Sequence, residues 1–222
     1  MPQGPRLYVE GKNDVHVVGN LLERHELRLD PKGGDPSKPI IEATKTADGD
    51  EGGVEHLIRT SSTIIKAAGG KTVGFVIDAD PDVGLAARWN RIRDQFASVG
   101  VDVPNTIPIN GFIGETQDYK VRVGAWLMQD NQRDGTLETF LKDLIDGNDA
   151  LIGIAQSSTQ IAMQTERRFP HVALSKAELH TWLAWQENPG CPYGVAIKAR
   201  YFHHDSPVAL AFVDWFRRLY DL

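Results

Sequence analysis

Residues 72–77, Thr-Val-Gly-Phe-Val-Ile, are almost continuously apolar and stop at Asp78-Ala79-Asp80-Pro81-Asp82. Such a run suits a central strand covered on both faces, and Pro81, which lacks an N–H, prevents its continuation. A strand of this kind needs neighbours and covering helices, and the chain supplies both in alternation. Residues 6–9 (Arg-Leu-Tyr-Val) read as a short strand ended by Glu10-Gly11. Asn13 or Asp14 can cap a helix in which Val15, Val18, Leu21 and Leu22 recur at helical spacing to about His25. A Gly/Pro/Lys loop follows over 30–39, then a strand starting at Ile40-Ile41 and a flexible acidic loop over 47–53. Val54, Leu57, Ile58, Ile64 and Ile65 mark a second helix, with Gly69-Gly70 as its C-cap. After the central strand, a helix is expected over 83–98 with Leu85, Trp89, Ile92 and Phe96 on one stripe. Further strands are expected at 106–109 and 121–128, and a helix after Gly135.

Strand–helix–strand repetition at this spacing predicts an α/β fold with right-handed crossovers and a mostly parallel sheet flanked by helices. Beyond about residue 150 the pattern turns helical, with stripes at Leu179, Trp182, Leu183 and at Phe212, Trp215, Phe216, Leu219. No linker separates a second domain. The expectation is therefore one domain over 1–222, with a core to about 130 and a helix-rich extension over 131–222.

The 222 residues carry a net charge of -6, against a surface coated in basic residues for gripping nucleic acid. That balance still allows a metal ion to mediate between carboxylates and phosphate. No apolar run is long enough to span a bilayer. The opening Met-Pro-Gln-Gly-Pro-Arg shows no charged-then-apolar leader. The single cysteine, Cys191, excludes an internal disulfide and a zinc site built on paired cysteines. These features point to the cytoplasm and to no membrane partner.

In open α/β sheets ligands bind beyond the carboxyl ends of the strands. Glu10 ends the first strand, and Asp78 and Asp80 end the central one. On an extended backbone Asp78 and Asp80 point the same way, so their charges repel unless a cation lies between them. Mg²⁺ (or Mn²⁺) answers that arrangement, since it takes oxygen ligands and leaves room for water and substrate phosphate. The competing reading is a solvated turn: three Asp-x-Asp matches (48/50, 78/80, 80/82) occur among 19 aspartates, so the spacing alone carries little. An arginine already neutralising the pair would remove the case for a metal. Asp130, at the end of the 121–128 strand, is a further carboxylate for the site edge. Lys12 can approach a phosphate beside Glu10, and Gly11 leaves its backbone accessible there. Glu138 reads as a first-turn helix-dipole residue, Asp82 as a turn residue, and Arg88, Arg91 and Arg93 as a solvated helix face.

Some motifs are decoys. Gly70-Lys71-Thr72 precedes a strand rather than following one, and Ile65 stands where a phosphate-binding loop needs its first glycine. His203-His204-Asp205 lacks a third spaced ligand. Cys191 has no basic activator nearby.

The strings Leu7-Tyr8-Val9-Glu10-Gly11-Lys12-Asn13-Asp14 and Phe75-Val76-Ile77-Asp78-Ala79-Asp80 resemble the Toprim domain, with its Glu-Gly pair after the first strand and its Asp-x-Asp after a later one. Toprim domains occur in topoisomerases, bacterial primases, recombination-repair proteins and overcoming-lysogenisation-type nucleases. Segments Leu127-Met128-Gln129-Asp130-Asn131, Gly135-Thr136-Leu137-Glu138 and Trp185-Gln186-Glu187 look like a family of stand-alone Toprim-like proteins of unassigned function. The resemblance implies a Rossmann-like Toprim core, Glu10 as general acid or base or metal-linked carboxylate, and Asp78 and Asp80 around Mg²⁺; Asp130 joins the metal set from its strand-end position alone. It implies phosphodiester chemistry on DNA or RNA. The alternatives are a Toprim-like module that binds nucleic acid or protein without cutting, and a relic fold whose C-terminal aromatic stripe makes a homodimer. No topoisomerase tyrosine domain, primase zinc module or ATPase domain accompanies it, and a shared fold does not transfer a reaction.

Overall fold

A computed structural model describes residues 4–30 and 33–222. Residues 1–3 of the N-terminal segment read for a leader, and 31–32 of the 30–39 loop, lie outside the described residues. Five strands form one sheet in the order β2-β1-β3-β5-β4. They are β1 (Arg6–Val9), β2 (Ile40–Ala43), β3 (Val73–Asp78), β4 (Phe112–Glu115) and β5 (Arg122–Met128). All neighbours are parallel except β4, which runs antiparallel to β5 at the edge. The fold is α/β and Rossmann-like, as the alternation predicts.

The pleat of each strand divides its side chains between two cores. Leu7 and Val9 of β1, Val76 of β3, and Trp126 and Met128 of β5 face α1 (Lys12–Arg24) and the C-terminal helices. Those helices are α4 (Leu137–Lys142), α5 (Ala150–Thr165), α6 (Leu174–Leu183), α7 (Tyr193–Lys198) and α8 (Pro207–Tyr220). Phe75 and Ile77 of β3, with Val123 and Leu127 of β5, face α2 (Gly53–Ala67) and α3 (Leu85–Ala97). Buried on both faces, β3 needs the unbroken apolar run that marks it in the sequence. The helical extension packs directly on the sheet: Leu179, Trp182, Phe212, Trp215, Phe216 and Leu219 are all at most 1 % exposed. The C-terminal aromatic stripe is therefore core, which removes it as a dimer surface.

Two expectations about local structure are corrected. Residues 106–109 form no strand. Pro108 lacks a ladder donor, and its carbonyl instead accepts the Gly111 N–H in a turn. The edge strand falls six residues later, at β4. The cap of α1 also differs: Gly11 is the N-cap, and Asp14 reaches back to accept the Gly11 N–H at 3.2 Å.

Candidate functional site

The sheet order reverses direction between β1 and β3, which is where an open α/β sheet places its ligand cleft. The chain leaves β1 at Glu10 and β3 at Asp78, and the two ends are tied together. The Glu10 Oε1 atom accepts the Asp78 backbone N–H at 2.7 Å across 68 residues of sequence. A cleft of about 490 Å³ opens there, and five carboxylates line it: Glu10, Asp14, Glu51, Asp78 and Glu138. Lys12 and Lys176 stand on its rim.

Burial decides the charge state of the inner acids. Loss of water pushes the Glu10 carboxyl up to about 8, against the Asp78 N–H bond that favours its anion; Asp14 and Asp80 add repulsion. Asp78 is also held well above its usual range, by burial first and by repulsion from Glu10 second. Asp14 is pushed up to about 6 by burial, although two backbone N–H bonds oppose this. Among the described residues neither Glu10 nor Asp78 has an ion pair, and no hydrogen bond reaches the Asp78 carboxylate.

Asp80 is placed differently. Arg88, 1 % exposed, donates from Nη2 to Asp80 Oδ2 at 2.7 Å and from Nη1 to Glu55 Oε1 at 2.8 Å. Arg88 is thus a buried ion-pair residue rather than part of a solvated face, and it neutralises one of the two aspartates expected to share a cation. Among the described residues Oδ1 of Asp80 accepts no hydrogen bond. Arg91 also pairs with Glu55, while Arg93 reaches Asp94 at 3.6 Å.

Asp130 is not brought to the cleft. Its carboxylate accepts the backbone N–H groups of Gln132 and Arg133 and pairs with Arg133 Nε at 2.7 Å, so it organises a turn. Gly11 and Lys12 flank the cleft, but their N–H groups are taken. Asp14 accepts that of Gly11, and Glu51 accepts that of Lys12 at 3.4 Å. The backbone cradle expected for phosphate therefore holds the protein's own carboxylates, and Lys12 offers only its ammonium, 3.8 Å from Glu51. A Cβ at Gly11 would lie 2.7 Å from Glu51 Oε2, so the glycine makes room for that carboxylate.

Asp14, Glu51, Glu138 and Lys176 complete the cleft without having been marked for it. Asp14 and Glu138 carry ordinary helix-start signals, and Glu51 sits in a loop whose only signature is acidity. Lys176 comes from α6 in the extension, where nothing in the sequence ties it to Glu10. Glu138 does keep the expected position in the first turn of α4, accepting a bond from Thr136 Oγ1 at 3.1 Å.

Among the described residues no group of three or more His, Cys, Asp or Glu side chains is arranged to close around one ion. The donors that remain in the cleft are carboxylate oxygens of Glu10 and Asp78; Asp80, with its open Oδ1, lines a separate cavity with Asp82, Thr136 and Ser175. This set fits a hard cation bound through one or two carboxylates, with water and phosphate completing its shell, and does not fit a closed cage.

Fold and cleft together define a Rossmann-like α/β protein with an acidic centre at the carboxyl edge of its sheet. Among the described residues no helix is long and apolar enough to cross a membrane. The chain belongs to a family described as a protein of unknown function, DUF3226, whose match runs over residues 5–221. Comparison with curated proteins found no match, and comparison with solved structures found none.

Proposed function

We propose that this protein performs magnesium-dependent phosphodiester chemistry on nucleic acid, as a Toprim-like nuclease. The observation that supports this reading is the meeting of Glu10 and Asp78 at the sheet edge, with no ion pair to either among the described residues, inside a cleft of five carboxylates. Asp78 and Asp80 are the groups that would hold Mg²⁺ or Mn²⁺, and Glu10 is the acid beside them. When bound, the ion would offset charge on the phosphate and lower the pKa of an attacking water. Glu10, pushed up to about 8, keeps its proton near neutral pH and can give it to a leaving oxygen. Arg88 fixes the Asp80 carboxylate through Oδ2. Lys12 and Lys176 place positive charge at the rim, where a phosphate backbone would enter. The single cysteine suits a reducing compartment such as the cytoplasm.

The test is cleavage of supercoiled plasmid and of a single-stranded oligonucleotide in Mg²⁺ or Mn²⁺. Wild type should cut, and Glu10→Ala should not. Equal turnover by the two proteins would remove the reading.

One observation favours a second reading. The Arg88–Asp80 ion pair occupies an oxygen that a tightly held ion would use. On that reading the chain is a Toprim-like module that binds nucleic acid or protein without cutting. Gel retardation of an oligonucleotide in EDTA, without cleavage when Mn²⁺ is added, would support it.

A further inference from the structure

A second cavity, about 830 Å³, lies beside the acidic cleft between α1, β2 and α2, and Lys12 lines both. Its size is in the range of small-molecule sites. Its walls are of three kinds. Val15, Ile41 and Ile64 form an apolar side. Lys45, with Lys12, supplies positive charge, while the one carboxylate present, Glu42, is already paired with Arg6. The third kind is a hydroxyl. Thr44 is 6 % exposed, and among the described residues its buried Oγ1 has no hydrogen-bond partner. A buried hydroxyl without a partner costs about 1–3 kcal/mol, so its retention calls for an explanation. A valine would fill the same volume without that cost.

We propose that this cavity is a nucleotide subsite, holding one nucleoside phosphate of the strand whose neighbouring phosphodiester lies in the acidic cleft. The proposal rests on the phosphodiester reading for its placement, not for its binding chemistry. Lys12 and Lys45 meet the phosphate, and the apolar wall meets the base or sugar. Thr44 Oγ1 takes the hydrogen bond that the empty pocket denies it, and His16 and His56 offer ring nitrogens to a base edge. Inorganic phosphate would use only the lysines. A nucleotide would use all three walls.

Isothermal titration in EDTA, with AMP, CMP, GMP, UMP and inorganic phosphate as separate probes, tests this. At least one nucleotide should bind saturably and at least tenfold more tightly than phosphate. Lys45→Glu, at an exposed position, should weaken that binding tenfold or more. Thr44→Val should weaken it severalfold while raising the melting temperature, a combination that a merely structural threonine would not produce. No saturable nucleotide binding, phosphate binding as tightly as any nucleotide, or affinities unmoved by both variants would overturn the proposal. Nucleotide binding by a protein that never cuts would leave the subsite standing and remove the nuclease reading. Cutting without nucleotide binding would do the reverse.

Discussion

The Glu10 carboxylate accepts the Asp78 backbone N–H, so the end of β1 and the end of β3 are locked together and two acids share one poorly hydrated edge. This single bond puts the raised pKa values of both groups within one cleft, and it makes the site costly to the fold wherever its acids are ionised.

Stability should therefore fall as pH rises between about 5 and 8 in EDTA. A carboxyl whose folded pKa is raised binds its proton more tightly in the native state. Its contribution is fully present below the unfolded value of 4.5 and is lost as pH climbs to the folded value, about 8 for Glu10. Each differing proton changes stability by about 1.4 kcal/mol per pH unit inside that window. His180 and His204, whose pKa values burial lowers, run the opposite way below pH 6.5. Glu55, held down to about 2 by Arg91 first, titrates below the window. Urea unfolding of wild type and a Glu10→Gln, Asp78→Asn variant across pH 5–8 should show a steeper decline in wild type, because the other groups cancel in the difference. Parallel curves would contradict the buried-acid geometry.

Arg88 should matter more to the fold than Asp80 does. The arginine is 1 % exposed and serves both Asp80 and Glu55, whose side chains are 40 % and 61 % exposed. Asp80→Asn leaves Arg88 paired with Glu55 and should cost about 1 kcal/mol or less. Arg88→Ala leaves a void and strips Asp80 of its partner, while Glu55 keeps Arg91. It should cost about 2 kcal/mol, below the usual cost for a fully buried pair because both acids stay hydrated. Denaturant midpoints of the two variants check the order.

The close approach of α8 to the sheet should be sensitive to one methyl group. Gly74 and Gly124 are register partners on β3 and β5. A Cβ on them would lie 2.8 Å and 2.6 Å from Leu219 Cδ2. Gly124→Ala should cost about 1–3 kcal/mol through overpacking. Adding Leu219→Ala should recover part of that, so the two changes will not sum, and a double-mutant cycle measures the shortfall.

Periodicity made the layers legible before the structure did. The 72–77 run suited a doubly covered strand and the stripe at Leu85, Trp89, Ile92, Phe96 a buried helix face, whereas the stripe at Phe212, Trp215, Phe216, Leu219 fitted a core or an interface equally until its burial against the sheet decided it. The edge strand was misplaced because Ile107 and Ile109 look β-prone locally while Pro108 decides the outcome. Within the site, Glu10 and Asp78 were readable because strand ends carry ligands in this architecture. Arg88 was not, because spacing alone does not distinguish an arginine buried beneath an acid from one in solvent. The roles of Asp14 and Glu51 were hidden for a related reason: a carboxylate that accepts a backbone N–H at a helix start looks in sequence like an ordinary cap or loop residue. Asp130 shows the reverse error, a strand-end acid spent on a turn and on Arg133.

The most direct measurement is the melting temperature of wild type and Asp78→Asn as Mg²⁺ or Mn²⁺ is raised from zero to millimolar. Selective binding to the native state stabilises by about 2.7 kcal/mol at a hundredfold excess over Kd. Wild type should gain stability with metal, and Asp78→Asn should be stabler without metal and indifferent to it. If both proteins respond alike, or neither responds, the acidic cleft does not bind a divalent ion and the phosphodiester reading falls.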